Sequence, residues 1–168
     1  MRLTPPRRLG AVMALLLTIA GVVAAHAEVQ IQLTAHRVQK NDRGIEVLAP
    51  AEEIKPGQLV EYRAVYTNQG AKGVEKLLAT LPIPAGTELV ASTAAPAGPM
   101  ASLDGSSYAP MPLRRKVRLA DGREVTRDVP LSEYRYLRWS LGTLGPEQEK
   151  TVKARVRVTP ILSAAAAK

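Results

Sequence analysis

Few residues of this sequence are of the types that do chemistry. There is no cysteine. That excludes disulfides, thiolate metal sites, iron–sulfur centres, acylated-cysteine anchors and cysteine nucleophiles. The two histidines are His26 and His36. His26 falls in a segment read below as removed on export. His36 then stands alone on an alternating stretch, where a single histidine reads as a packing or surface residue. A catalytic zinc site takes three protein ligands, commonly with histidine among them, and here it would have to be built mainly from acids. Ser92, Ser102, Ser106, Ser107, Ser132, Ser140 and Ser163 lack a Ser-x-x-Lys or Gly-x-Ser-x-Gly context, and a serine nucleophile needs a base within reach. Glu52-Glu53 is the one adjacent pair of acids considered for glycoside hydrolysis. Such carboxylates work across about 5–10 Å, whereas neighbours in extended chain point to opposite faces, so a solvated turn is the plainer reading. No phosphate-binding or dinucleotide-binding glycine pattern occurs. Asp42 and Asp104 could meet calcium in loops, but without EF-hand spacing. No catalytic residue, metal or cofactor is expected.

Charge is the remaining resource. Arg114, Lys116, Arg118 and Arg123, with Arg115 and Arg127 beside them, form a basic stretch around Asp121-Gly122. Asp121, Glu124 and Asp128 dilute it. Charged residues on an exposed hairpin discourage edge-to-edge pairing, which alone accounts for them. The functional reading takes Arg114, Lys116, Arg118 and Arg123 as a surface for an anionic envelope polymer or an envelope protein. Nucleic acid is not an expected partner, because the chain reads as exported.

The N-terminus reads as an address label. Arg2, Arg7 and Arg8 precede an uncharged apolar run, Leu9–Ala25. Ala25-His26-Ala27 gives the small-x-small pattern of signal-peptidase cleavage, and Glu28 follows. Residues 1–27 are therefore expected to be a secretory signal peptide for the general secretory route. The mature chain would be periplasmic or secreted, with no stable membrane span once cleaved. The alternative is a retained anchor, for which 17 apolar residues are at the short edge of the roughly 17–25 needed to span. Removing 27 from 168 residues leaves 141, enough for one domain that buries about two-thirds of its unfolded surface. Removing those three arginines from 23 basic residues leaves 20 against 15 acids, a net +5.

The rest of the chain alternates with a period of two. Val29, Ile31, Leu33 and Ala35 share one face of a first strand. Ile45–Leu48 reads as a short return. Lys55-Pro56-Gly57 is a turn. Val60, Tyr62, Ala64 and Tyr66 then face one way, and Glu61, Arg63 and Thr67 the other. Val74–Leu81 and Thr87–Ser92 are further strands, broken by Pro82, Pro84 and Gly86. Two Asp-Gly pairs, Asp104-Gly105 and Asp121-Gly122, predict hairpins with type I′ turns. Ala101–Tyr108 is also faintly like an aspartate-box hairpin. Tyr134–Leu141 alternates, with Trp139 inward, and Gly142, Gly145 and Pro146 are read as the next turn. Val152, Ala154, Val156 and Val158 define the last inward face. Residues 163–168 are expected to fray. No sustained helical period follows residue 28, so the pattern predicts an all-β sandwich.

Lys55-Pro56-Gly57-Gln58, Tyr62, Asn68-Gln69-Gly70, Leu81-Pro82 through Pro84-Ala85-Gly86-Thr87, and Trp139-Ser140-Leu141-Gly142-Thr143-Leu144 together resemble the conserved-repeat family of bacterial surface and secreted proteins called domain of unknown function eleven. The resemblance covers about residues 50–158. It implies an immunoglobulin-like β-sandwich, often tandemly repeated as a stalk or spacer. The chain departs from it in Ala79-Thr80 before the Leu-Pro, in Gly145-Pro146-Glu147 after Leu144, and in a long insertion, Ala94–Tyr134. The expected organisation is a signal peptide (1–27), an immunoglobulin-like sandwich (28–160) with an inserted hairpin region (94–134), and a flexible tail (161–168). The expected role is a non-enzymatic binding or structural module of the cell envelope. Its alternatives are an enzyme or accessory subunit acting on cell wall or polysaccharide, and a periplasmic assembly factor.

Overall fold

The computed structural model describes residues 28–160. The segment expected to be a signal peptide, with Ala25 and Ala27, and the expected tail lie outside the described residues. Eleven strands follow in order: β1 (Val29–Lys40), β2 (Glu46–Pro50), β3 (Leu59–Asn68), β4 (Val74–Pro82), β5 (Thr87–Leu89), β6 (Met100–Ser102), β7 (Ala109–Pro110), β8 (Arg114–Arg118), β9 (Glu124–Asp128), β10 (Tyr136–Leu144) and β11 (Glu149–Val158). One 3-10 turn covers Leu131–Glu133. The described residues are all-β, with every strand pair antiparallel.

The alternation seen in the sequence sorts side chains onto two facing sheets. The larger has the order β2-β1-β3-β11-β5, and the smaller β4-β10-β6-β7. From the larger sheet Val60, Ala64, Tyr66, Val152, Ala154, Val156 and Leu89 point inward; Leu77, Ala79, Leu81, Ala101, Leu137, Trp139 and Leu144 answer from the smaller. Burying a side chain of the Val or Leu class contributes about 1.5–3 kcal/mol, so this interior holds the sheets together. Polar ties fix the two layers in register. The Tyr66 hydroxyl accepts from the Thr80 amide (2.9 Å) and donates to the Thr80 carbonyl (3.0 Å). The buried Asn68 amide donates to the carbonyls of Lys72 (2.8 Å) and Leu144 (3.0 Å), and its oxygen accepts from Gly70 (3.0 Å). The Trp139 indole donates to the Pro96 carbonyl at 2.7 Å.

Three local expectations change. Both Asp-Gly turns have positive φ only at the glycine (Gly105 at 80°, Gly122 at 86°), so neither is type I′. At Asp121-Gly122 the loop from Leu119 to Arg123 holds three residues, closed by Leu119 N–H to Arg123 O (2.8 Å) and Gly122 N–H to Leu119 O (2.9 Å). One left-handed glycine suffices for that length. Gly142 is no turn residue: it lies inside β10, at a register shift in the pairing with β4. The expected insertion is also divided. Its first part supplies β6 and β7 to the smaller sheet, where Ala101 pairs with Leu137 and is fully buried. Only β8 and β9 stand apart, as a two-stranded arm.

Candidate functional site

The arm carries the basic residues singled out from the sequence. Directly opposite residues share a face, and the register pairs Arg114 with Asp128, Lys116 with Thr126, and Arg118 with Glu124. Arg115, Val117, Val125 and Arg127 occupy the other face. Arg123, opposite Leu119 at the tip, falls on that second side. Arg114, Lys116 and Arg118 are thus brought together, and Arg123 is not. Their charge is also partly met: Arg114 Nε lies 3.2 Å from Asp128, Lys116 Nζ 3.9 Å from Glu124, and Arg123 Nε 2.7 Å from Asp121. These pairs are exposed, and exposed pairs contribute about 0–1 kcal/mol. Arg115 grips Glu133 with both guanidinium nitrogens. Among the described residues Arg118 and Arg127 have no carboxylate within salt-bridge distance. At its root the arm is anchored by buried Leu113 and Val129, and the Leu113 amide donates to the hydroxyl of fully buried Tyr134 at 2.7 Å.

Below that root lies an apolar cleft of about 620 Å³, lined by Leu89, Val90, Ala94, Met111, Val129, Leu131 and Tyr134 among others. Ligand cavities run about 300–1,000 Å³. Asp128 and Ser92 supply its polar rim. The rest of the lining is apolar or small, so the cleft offers shape and apolar contact.

A second feature comes from a mismatch between the sheets. The smaller sheet begins at β4, which lies against β3, and among the described residues β4 pairs only with β10. The larger sheet continues past β3 by two strands, β1 and β2. In register with the inward residues of β3, the inward positions of β1 are Val29, Ile31, Leu33, Ala35 and Arg37. Val29 and Ala35 pack against the core, but Ile31 is 58% exposed and Leu33 49%. Arg37 ends this strip, its Nε shielded from solvent and without a hydrogen-bond partner among the described residues. The free edge of β4 therefore looks across an uncovered apolar strip that ends in a cation. Sequence alternation placed Ile31 and Leu33 correctly inward. It carries no information on how many strands the opposite sheet has, and so could not show that no described strand covers them.

The remaining chemical candidates are dispersed. His36 faces the opposite side of β1, in register with Glu61, with its Nδ1 buried and unpartnered among the described residues. Glu52 and Glu53 are exposed in an irregular bend, Glu53 with φ of 45°. Asp104 accepts from the Ser106 and Ser107 amides (2.8 and 2.9 Å) and the Ser102 hydroxyl (3.0 Å). Those bonds, the Ser107 amide foremost, hold its carboxyl well below the usual range, which marks a turn-forming aspartate. Glu28, next to the expected cleavage point, is exposed, and its carbonyl accepts from Gln69 (2.8 Å). Among the described residues no three His, Asp or Glu side chains converge on a metal position, and no helix is long and apolar enough to cross a membrane. No family model, curated protein or solved structure matches the chain.

Proposed function

We propose that this protein is an exported, non-enzymatic binding module of the bacterial cell envelope, built as an immunoglobulin-like sandwich, that accepts an extended strand from a partner polypeptide. The observation that carries the reading is the uncovered strip beside the open β4 edge. A sheet edge presents unpaired backbone groups that bind a further strand. A strand added to β4 would lie over β1, because neighbouring strands are spaced about 4.8 Å apart and β1 is the next strand beyond β3. Its alternate side chains would then meet Ile31, Leu33 and Ala35, which recur at the same two-residue period. Covering the exposed area of Ile31 and Leu33 contributes on the order of 1 kcal/mol each. Arg37 sets the chemistry of the partner's end: an acidic side chain or carbonyl that satisfies its Nε.

Export rests on Arg2, Arg7, Arg8, the apolar run and Ala25-His26-Ala27. The immunoglobulin-like reading, and with it the likeness to domain of unknown function eleven, draws support from the burial of Asn68, Leu81, Trp139 and Leu144, which belong to the motif quoted above. The uncovered strip also favours one alternative, a periplasmic assembly factor that holds a client's strand before releasing it. The two differ in lifetime: a structural module keeps its strand, and an assembly factor exchanges it.

The test is a displayed library of nine-residue peptides panned against the protein. Binders should carry apolar residues at alternate positions with an acid towards one end, and Leu33→Lys should lose them. Binders without alternation, or binders that ignore L33K while the variant stays folded, would sink the proposal.

A further inference from the structure

The opposite face of the larger sheet, turned away from the interior, carries a like-charge contact that the fold does not require. Arg63 on β3 and Lys153 on β11 are direct cross-strand partners in the register. Opposed like charges in an antiparallel pair are destabilising. Glu61 moderates the contact. It is 2% exposed, and it holds Arg63 at 3.0 Å, Arg155 at 3.2 Å and Lys153 at 3.9 Å. Glu46 takes the other arm of Arg155 at 2.8 Å. Among the described residues three cations thus face two carboxylates, and the unmatched positive charge belongs to Arg63 and Lys153.

A depression of about 420 Å³ opens over this pair, lined by Arg63, Lys153, Thr151, Ala95 and Pro96. Its wall is fixed from two sides. Ala95 and Lys153 exchange both backbone hydrogen bonds at 2.8 Å, and Trp139 donates to the Pro96 carbonyl from the smaller sheet. Its floor is fixed by Glu61, a positioning residue that holds the Arg63 guanidinium by one nitrogen. Two cations, one hydroxyl and a rigid wall make a preorganised receptor for a tetrahedral or planar oxyanion.

We propose that this depression is an anion-binding site that takes a small oxyanion group, the phosphoryl or carboxylate of a larger anionic molecule, between Arg63, Lys153 and Thr151. It is independent of the strand-accepting strip, which lies on the other face of the same sheet. It is also separate from the arm, whose cations sit in sheet β8–β9.

The test is a titration of the labelled protein with inorganic phosphate at constant ionic strength, read by amide chemical shifts. A parallel titration uses acetate. The Arg63, Ala95, Thr151 and Lys153 amides should shift saturably, with millimolar affinity for at least one of the two anions; the tighter one identifies the source. Lys153→Gln should weaken binding about five-fold or more, the loss of one charge-assisted contact of about 1 kcal/mol. Lys153→Arg should retain it, which guards against a merely misfolded glutamine variant. No saturable shift with either anion, or equal affinity in wild type and K153Q, would overturn the site. Shifts confined to Arg118 and Arg127 would do the same, by moving the anion to the arm.

Discussion

A methyl group at Gly105 has nowhere to go. A Cβ built there would stand 2.9 Å from the Tyr136 ring, and the backbone holds φ at 80°. Both the contact and the conformation select glycine. Gly105→Ala should cost about 1–3 kcal/mol in urea unfolding, a left-handed penalty plus overpacking. Gly122→Ala meets no atom within 4 Å at a similar φ of 86°, and should cost only the first term. Equal losses at the two positions would show that the Tyr136 contact is relieved freely. The asymmetry between these glycines was not legible in the sequence, where both follow an aspartate. Asn68 has the same history. In the sequence it is one residue of the Asn68-Gln69-Gly70 motif, yet it is buried and its amide closes on Leu144, 76 positions away. Turn chemistry is local and can be read from neighbours. A hydrogen bond across the interior depends on which segments meet, which one sequence does not disclose. What alternation did disclose was facing: Arg63 against Val60, Ala64 and Tyr66, as the burial pattern has it, whereas Glu61 shares the side of Arg63 yet is buried beneath the cations it holds.

Long elements were legible and short ones were not. The ten-residue strands β3 and β11 carry several periods of alternation, and the alternating residues read from the sequence, Val60 to Thr67 and Val152 to Val158, all fall inside them. β6 and β7 have three and two residues, too few to show any period, so the segment joining them to the smaller sheet looked like an insertion. The arm was legible through Asp121-Gly122, although its isolation was not. Two strands with no third beside them are marginal in water, and the arm borrows its order from Leu113, Val129 and Tyr134 at the root. Backbone amides of β8 and β9 should therefore exchange with solvent faster than those of β3 and β11, because they open without global unfolding. Tyr134→Phe removes the acceptor of the Leu113 amide, which leaves a buried donor unmet at a cost of about 1–3 kcal/mol. Exchange in the arm should accelerate further in Y134F. Unchanged arm exchange there would show that the apolar root alone holds it.

At the scale of the whole molecule, charge decides behaviour in acid. The chain carries a basic excess, 23 Lys and Arg against 15 Asp and Glu, that grows as carboxylates protonate, and self-repulsion then opposes the compact state. Glu61 couples this to the fold. Burial pushes its carboxyl pKa up, but hydrogen bonds from Arg63 and Arg155 and the charges of Lys153 and Arg155 outweigh burial, so the net shift is downward. A folded-state pKa below the unfolded one means that the unfolded chain binds the proton more readily. The stabilisation from Glu61 is then complete above about pH 4.5, its ordinary value, and is lost as pH falls through the folded value. Asp104 and Asp121 are shifted the same way, so they add to the slope and remain when Glu61 is changed. Glu61→Gln should lower stability at pH 7 by about 1–3 kcal/mol, since Arg63 and Arg155 lose a buried, charged acceptor. Between about pH 5 and pH 3 its unfolding free energy should fall less steeply than that of wild type, so that the two curves converge in acid. Urea unfolding at stepped pH decides it: parallel curves would mean that the three cations do not hold Glu61 ionised, and Arg63 and Lys153 would then lack the organised floor on which the anion site depends.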